Sequence, residues 1–149
     1  PRVIVHDTTF RIPANEKHRY AQFEILTGYM PPGFSRFQAL NPVDGKLMSL
    51  TDGPGEQSHP VILSTPDGFH AMGCVTPNTT EGKGWSGPGY GRFRFTAEKV
   101  VKWNIVFRLK DSKRVQPGAY SFRTFVVVGN LEDVRKDMVR LLKEKSVPL

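Results

Sequence analysis

The apolar positions change period near the end of the chain. Val101, Trp103, Ile105, Phe107 and Leu109 alternate with Lys102, Asn104 and Arg108, the period of two expected of a half-buried strand. Residues 120–128 alternate in the same way, with Tyr120, Phe122, Thr124, Val126 and Val128 on one face. Phe125 and Val127 occupy the other face, so this strand is expected to be covered on both sides. Residues 130–145 then switch to a helical period, with Leu131, Val134, Met138, Leu141 and Leu142 as the apolar stripe. Asn130 suits an N-cap, and Glu132 and Asp133 in the first turn suit the positive end of a helix. Arg140, Lys143 and Lys145 suit its negative end, and Pro148 follows as a stop.

The earlier chain reads as short strands separated by turns. Residues 3–12 are rich in β-branched side chains, and Ala21, Phe23 and Ile25 share one side of the next segment. Asn41-Pro42-Val43-Asp44-Gly45 and Pro66-Asp67-Gly68 each lie between two apolar stretches and read as hairpin turns. Residues 76–89 hold three prolines or glycines for every helix former, so a long surface loop is expected, with Trp85 in its middle. Phe93 and Phe95 then alternate with Arg92 and Arg94. No helical segment separates the strands, which argues for an all-β fold: an antiparallel β-sandwich of about seven to nine strands with one C-terminal helix.

Composition adds limits. A chain of 149 residues with 38% hydrophobic content reads as one domain over 1–149 with a sizeable core. Its opening at Pro1 without a Met suggests a processed product or a domain excised from a larger protein. In a processed fragment, a secreted or extracellular home is expected. Cys74 is the only cysteine, so no internal disulfide can form. No apolar run is long enough to span a membrane as a helix. The net charge of +7 favours anionic partners such as acidic glycans or nucleic acid, without choosing among them.

Candidate chemistry is mostly cationic. Arg92, Arg94, Lys102, Arg108 and Arg123 recur on the polar sides of three strands expected to be neighbours, with Asn104 among them. If the strands pair, these groups share one face, and guanidinium forks bind carboxylate, sulfate or phosphate. Trp85 and Tyr90 lie just before and would supply a stacking surface. The competing reading is an ordinary solvated face. His70, after the Asp67-Gly68 turn, is placed by parity with Met72 and Cys74, at the edge of a cleft or as a satisfied polar residue. Glu56 and His59 form the weak candidate for an acid/base pair, against a purely structural role in their loop. One Cys with scattered His6, His18, His59 and His70 does not make a metal site. No phosphate loop, dinucleotide fingerprint or nucleophile elbow occurs, so no cofactor is expected. Asn78-Thr79-Thr80 fits a glycosylation acceptor.

The blocks Leu26-Thr27-Gly28-Tyr29-Met30-Pro31, Asp52-Gly53-Pro54-Gly55-Glu56-Gln57 and Asp67-Gly68-Phe69-His70-Ala71-Met72-Gly73 resemble blocks of little-characterised β-rich proteins. Tyr90-Gly91-Arg92-Phe93-Arg94-Phe95, Lys102-Trp103-Asn104-Ile105-Val106-Phe107-Arg108 and Phe125-Val126-Val127-Val128-Gly129 continue the resemblance. The ending resembles the last strands of galactose-mutarotase-like supersandwiches. That resemblance implies a sugar site on a sheet face, and it implies Glu56 with His59 or His70 as the counterpart of a catalytic Glu and His. The expected function is therefore binding of a glycan, including an acidic one, through Trp85, Tyr90, Arg92, Arg94, Asn104 and Arg108, with His70 at the edge. The alternatives are nucleic-acid binding through the same basic face, a non-catalytic interaction domain, and last a sugar isomerase or epimerase.

Overall fold

The computed structural model describes residues 2–144. Its strands are β1 (Val3–Ile12), β2 (Tyr20–Met30), β3 (Arg36–Leu40), β4 (Leu47–Ser49), β5 (Gly55–Gln57), β6 (Val61–Ser64), β7 (Ala71–Val75), β8 (Trp85–Phe95), β9 (Val100–Lys110) and β10 (Gly118–Gly129). Helix α1 (Leu131–Lys143) closes the described chain. The strands form two antiparallel sheets. One has the order β1-β10-β7-β6-β3-β4 and the other β2-β9-β8-β5. This is the expected β-sandwich with a C-terminal helix. Ten strands form rather than seven to nine. The three-residue β5 lies in a Gly/Pro-rich stretch whose composition signals a loop, and it exists only because β8 gives it a ladder.

Strand β10 shows why the layers stack as they do. Its Phe122 and Val126 enter the core between the sheets, while Val127 enters a second core beneath α1. Both of its faces are covered, as the double apolar pattern requires. Strand β6 is buried at all four residues for the same reason. The helix lays Leu131, Val134, Met138, Leu141 and Leu142 against this sheet. Asn130 caps it, its side-chain oxygen accepting from the Asp133 N–H at 2.9 Å. Lys145 and Pro148 of the expected helix ending lie outside the described residues.

Gly73 sets how closely the helix can approach. A Cβ at this position would sit 2.2 Å from Met138 Sδ and 3.0 Å from Val134. The strand backbone and the helix side chains therefore meet without an intervening side chain. Two hairpins form where turn chemistry places them, with Leu40 opposite Leu47 and Ser64 opposite Ala71.

Two outcomes follow from the helix. Gly73→Val is expected to lower stability to urea by about 1–3 kcal/mol through overpacking, whereas Gly33→Ala, where no atom is near, should stay within about 0.5 kcal/mol. The second concerns acid. Arg135 donates to both Glu132 oxygens at 2.9 and 2.7 Å, which lowers that carboxyl from the usual 4.5 to about 2. A depressed folded value contributes stability that is present above the unfolded value and lost as pH falls through the folded one. Between pH 4.5 and 2, the melting temperature of Glu132→Gln should fall less than that of the parent.

Candidate functional site

The cationic residues do not converge. On β8, Tyr90, Arg92 and Arg94 pair with Ile105, Trp103 and Val101 of β9 and so lie on the inward side of the sheet. Phe93 and Phe95 point outward instead, beside Lys102. The two arginines sit where the facing layer is a loop rather than a strand, and their guanidinium groups bind that loop. Arg92 donates to the Thr51 carbonyl at 2.8 Å, to the Thr51 hydroxyl at 3.0 Å and to Gln57 at 2.8 Å. Arg94 donates to Asp52 at 2.6 Å and to the Ser35 carbonyl at 3.2 Å, and lies over the Phe37 ring. Loop carbonyls without ladder partners need donors, and long Arg side chains reach them.

The other cations are also engaged. Lys102, Asn104 and Arg108 do share the outer face of the four-stranded sheet. Arg108 forms a two-point pair with Glu56, both contacts at 2.7 Å, and donates to Gln22. Lys102 pairs with Glu24 at 3.1 Å. Arg123 belongs to the other sheet and holds Asp7 at 2.7 and 2.8 Å. Glu56 is thus spent on Arg108, and no hydrogen bond joins it to His59, so the acid/base pair does not form. His70 is exposed and lies apart, in a depression with Phe34, Phe69 and Met72 beside the start of α1. Among the described residues, no group of three His, Cys, Asp or Glu is gathered for a metal. No described helix is long and apolar enough to cross a membrane.

Trp85 meets a different opening. It lies on a strand rather than in mid-loop, opposite Leu109. Gly84 makes this possible: at φ +90° it brings the chain so near β9 that a Cβ would lie on the Lys110 carbonyl. An irregularity between Ser86 and Gly89 then inserts one extra residue, Gly87 and Pro88 together standing against the single Phe107. It returns Tyr90 to the same inward side as Trp85, which simple parity would not.

At this end of the sandwich, Trp85, Phe107, Tyr120 and Phe122 wall a cavity of about 360 Å³. Trp85 stacks on Phe23 with centroids 5.7 Å apart, and Tyr120 stacks on the same ring at 5.1 Å. Such contacts fix ring orientation as well as burying area. The rim is Asn78, Thr79, Thr80, Glu81 and Ser121. Sequence reading missed Tyr120 and this rim as site residues. The Tyr120 alternation reads as core, and nothing in the pattern shows that the sandwich is open beside it.

The rim segment hangs from the fold by side-chain bonds. Asn78 Oδ1 accepts from the Arg123 N–H at 2.7 Å, and the Thr76 hydroxyl donates to the Arg123 carbonyl at 2.7 Å. Thr80 donates to the Gly87 carbonyl at 3.0 Å. Tyr90, expected as a stacking surface, is only 2% exposed and anchors the segment instead. Its hydroxyl oxygen accepts from the Thr76 N–H at 3.2 Å, and burial pushes its pKa up. Burial likewise raises the Cys74 thiol well above its usual range, which leaves it a packing group.

No family model, curated protein or solved structure matches this chain. What the cavity binds has to be read from its own chemistry.

Tyr90→Phe removes the acceptor and leaves a buried N–H unpaired. It is expected to cost about 1–3 kcal/mol in urea unfolding, and to speed amide hydrogen exchange at Thr76 relative to the β9 core.

Proposed function

We propose that the protein binds an uncharged glycan, with one sugar ring seated in the Trp85 cavity. The observation that carries this reading is the composition of that cavity. The aromatic rings of Trp85 and Tyr120 line it beside amide, hydroxyl and carboxylate groups on the rim. A pyranose presents an apolar C–H face that packs on aromatic rings, and hydroxyls at its edge that need donors and acceptors. The volume lies at the small end of ligand cavities, which suits one ring rather than a long chain.

Charge narrows the class. Among the described residues no Lys or Arg lines the cavity, and Glu81 is the only charged one that does. A uronate or sulfated ring would meet repulsion there with no compensating cation. The arginines that made an acidic glycan or a nucleic acid plausible are held by Thr51, Asp52, Glu56 and Asp7. The Glu81 carboxylate makes no hydrogen bond or ion pair among the described residues, so it is available to accept from neighbouring sugar hydroxyls.

Calorimetry with glucose, galactose, N-acetylglucosamine and glucuronate, alongside a glycan array, tests the reading. At least one neutral sugar should bind and glucuronate should not. Trp85→Ala should weaken that binding at least tenfold, with Trp85→Phe between it and the parent because a smaller ring keeps part of the stack. Asn104→Ala, on the outer sheet face, should leave it unchanged. No binding to any glycan would remove the proposal. Salt-steep binding to oligonucleotides without sugar competition would replace it with nucleic-acid binding.

A further inference from the structure

Four strand ends meet at one pole of the sandwich: β1 stops at Ile12, β2 starts at Tyr20, β9 stops at Lys110 and β10 starts at Gly118. Two loops, residues 13–19 and 111–117, cover this pole and are bonded to each other. The Asp111 N–H donates to the Arg19 carbonyl at 3.0 Å and the Val115 N–H to the His18 carbonyl at 2.9 Å. Arg114 Nη1 donates to the Ala14 carbonyl at 3.3 Å. Arg11, Lys17, Arg19, Lys110, Lys113 and Arg114 lie on or beside these loops, and all six are exposed. None of them forms a salt bridge among the described residues, unlike Arg94, Lys102, Arg108 and Arg123. The two carboxylates of the loops are used on backbone. Glu16 Oε1 accepts from the Lys17 and His18 N–H groups at 2.7 and 3.0 Å and meets the His18 ring. Asp111 Oδ1 accepts from the Lys113 and Arg114 N–H groups at 2.7 and 3.1 Å. Each acid caps its own turn, and each turn then directs its cations to solvent. Positive charge that is paired off on the sheet faces is therefore left unbalanced at this pole.

We propose that this pole binds a sulfated polysaccharide chain along its surface. The site is separate from the Trp85 cavity and does not rest on the sugar reading of that cavity. Unpaired guanidinium and ammonium groups call for oxyanions: an Arg fork matches two oxygens of a sulfate, and Lys meets it as a point charge. The shallow depression at the pole has Glu16 beside Arg11 and His18, so it does not gather the cations around one small anion. Their spread over two loops and the flanking strand ends suits a polymer that carries several anions. A nucleic acid would add bases, which need aromatic faces to stack on or an element to enter a groove. The two loops carry no Phe, Tyr or Trp, Tyr20 stands alone beside them, and α1 follows the opposite end of β10. A sulfated glycan needs only spaced cations, and loops already tied to each other supply them at a small ordering cost.

The experiment measures heparin binding to the intact protein by calorimetry across a salt series. Affinity should fall steeply with salt, as counterion release requires. Arg19→Gln with Lys113→Gln should weaken binding at least about tenfold at about 0.1 M salt, and lower the slope of log affinity against log salt by about two. Lys99→Gln with Lys143→Gln removes the same charge from exposed positions in the β8–β9 turn and the last turn of α1, and should change affinity by no more than about twofold. All four side chains are exposed and outside any salt bridge, so both variants should melt with the parent. Fully desulfated heparin, which keeps its carboxylates, should bind at least about tenfold more weakly than heparin. Trp85→Ala should leave heparin binding unchanged, so that this site and the Trp85 cavity can fail separately. Absence of heparin binding at the lowest salt overturns the proposal and leaves the sugar reading standing. Equal losses in the two double variants overturn it as well, because net charge would then act without a site. Undiminished binding of desulfated heparin removes sulfate as the recognised group, and loss with Trp85→Ala moves the polymer into the cavity. A thymidine oligonucleotide that binds more tightly than heparin, with the same dependence on Arg19 and Lys113, would assign the pole to nucleic acid instead.

Discussion

Strand β10 carries apolar side chains on both faces, and neither face can be left to water. Phe122 and Val126 require a second sheet, while Phe125 and Val127 require a cover on the other side. The helix that follows is the nearest cover available, and Gly73 lets it come close. The six-stranded sheet thus becomes the middle layer. The four-stranded sheet has a covered inner face and an outer face free of any helix, and it is there that polar side chains accumulate. The location of the open end follows too. Where β10 begins it has already passed the end of β7 at Val75, and the connection that follows β7 lies beside the gap instead.

The same constraint explains the fate of the arginines. A sandwich with long β8 and β9 in one sheet but short β3 and β4 in the other has loops where the facing strands run out. Those loops present carbonyls to the interior without ladder partners, and Arg92 and Arg94 supply the donors. On the outer sheet face, Arg108 and Lys102 sit across from Glu56 and Glu24, so the face is close to neutral. Surface pairs of this kind contribute little stability each. Their consequence is electrostatic: a net charge of +7 is not expressed as a basic patch on this sheet.

Periodicity was enough to read the fold class, the covered faces of β10, both hairpins and the helix with its Asn130 cap, because each rests on local pattern and local turn chemistry. The site was less legible for three physical reasons. Alternation tells which residues share a face but not whether that face looks inward, so the Arg92 and Arg94 side was assigned to solvent. The one-residue irregularity after Ser86 resets parity within β8, so Trp85 and Tyr90 share a side despite their odd spacing. Strand β5 is created by its partner and has no pattern of its own. Trp85 could be singled out because a large aromatic beside glycines is costly to expose. Tyr120 could not, because its alternation is that of any core strand.

The rim of the cavity joins fold and site. Residues 76–80 form no strand, yet their polar atoms are tied to Arg123 of β10, to Gly87 and to Tyr90. One tether is buried between the sheets and the others run to strand backbone. A connection held this way is positioned by the core rather than by its own contacts, which is what a binding rim needs if ordering it is not to be charged against ligand affinity. Tyr90 is therefore tied to the cavity without touching it: its ring belongs to the packed interior, and its hydroxyl fixes the start of the segment that rims the cavity.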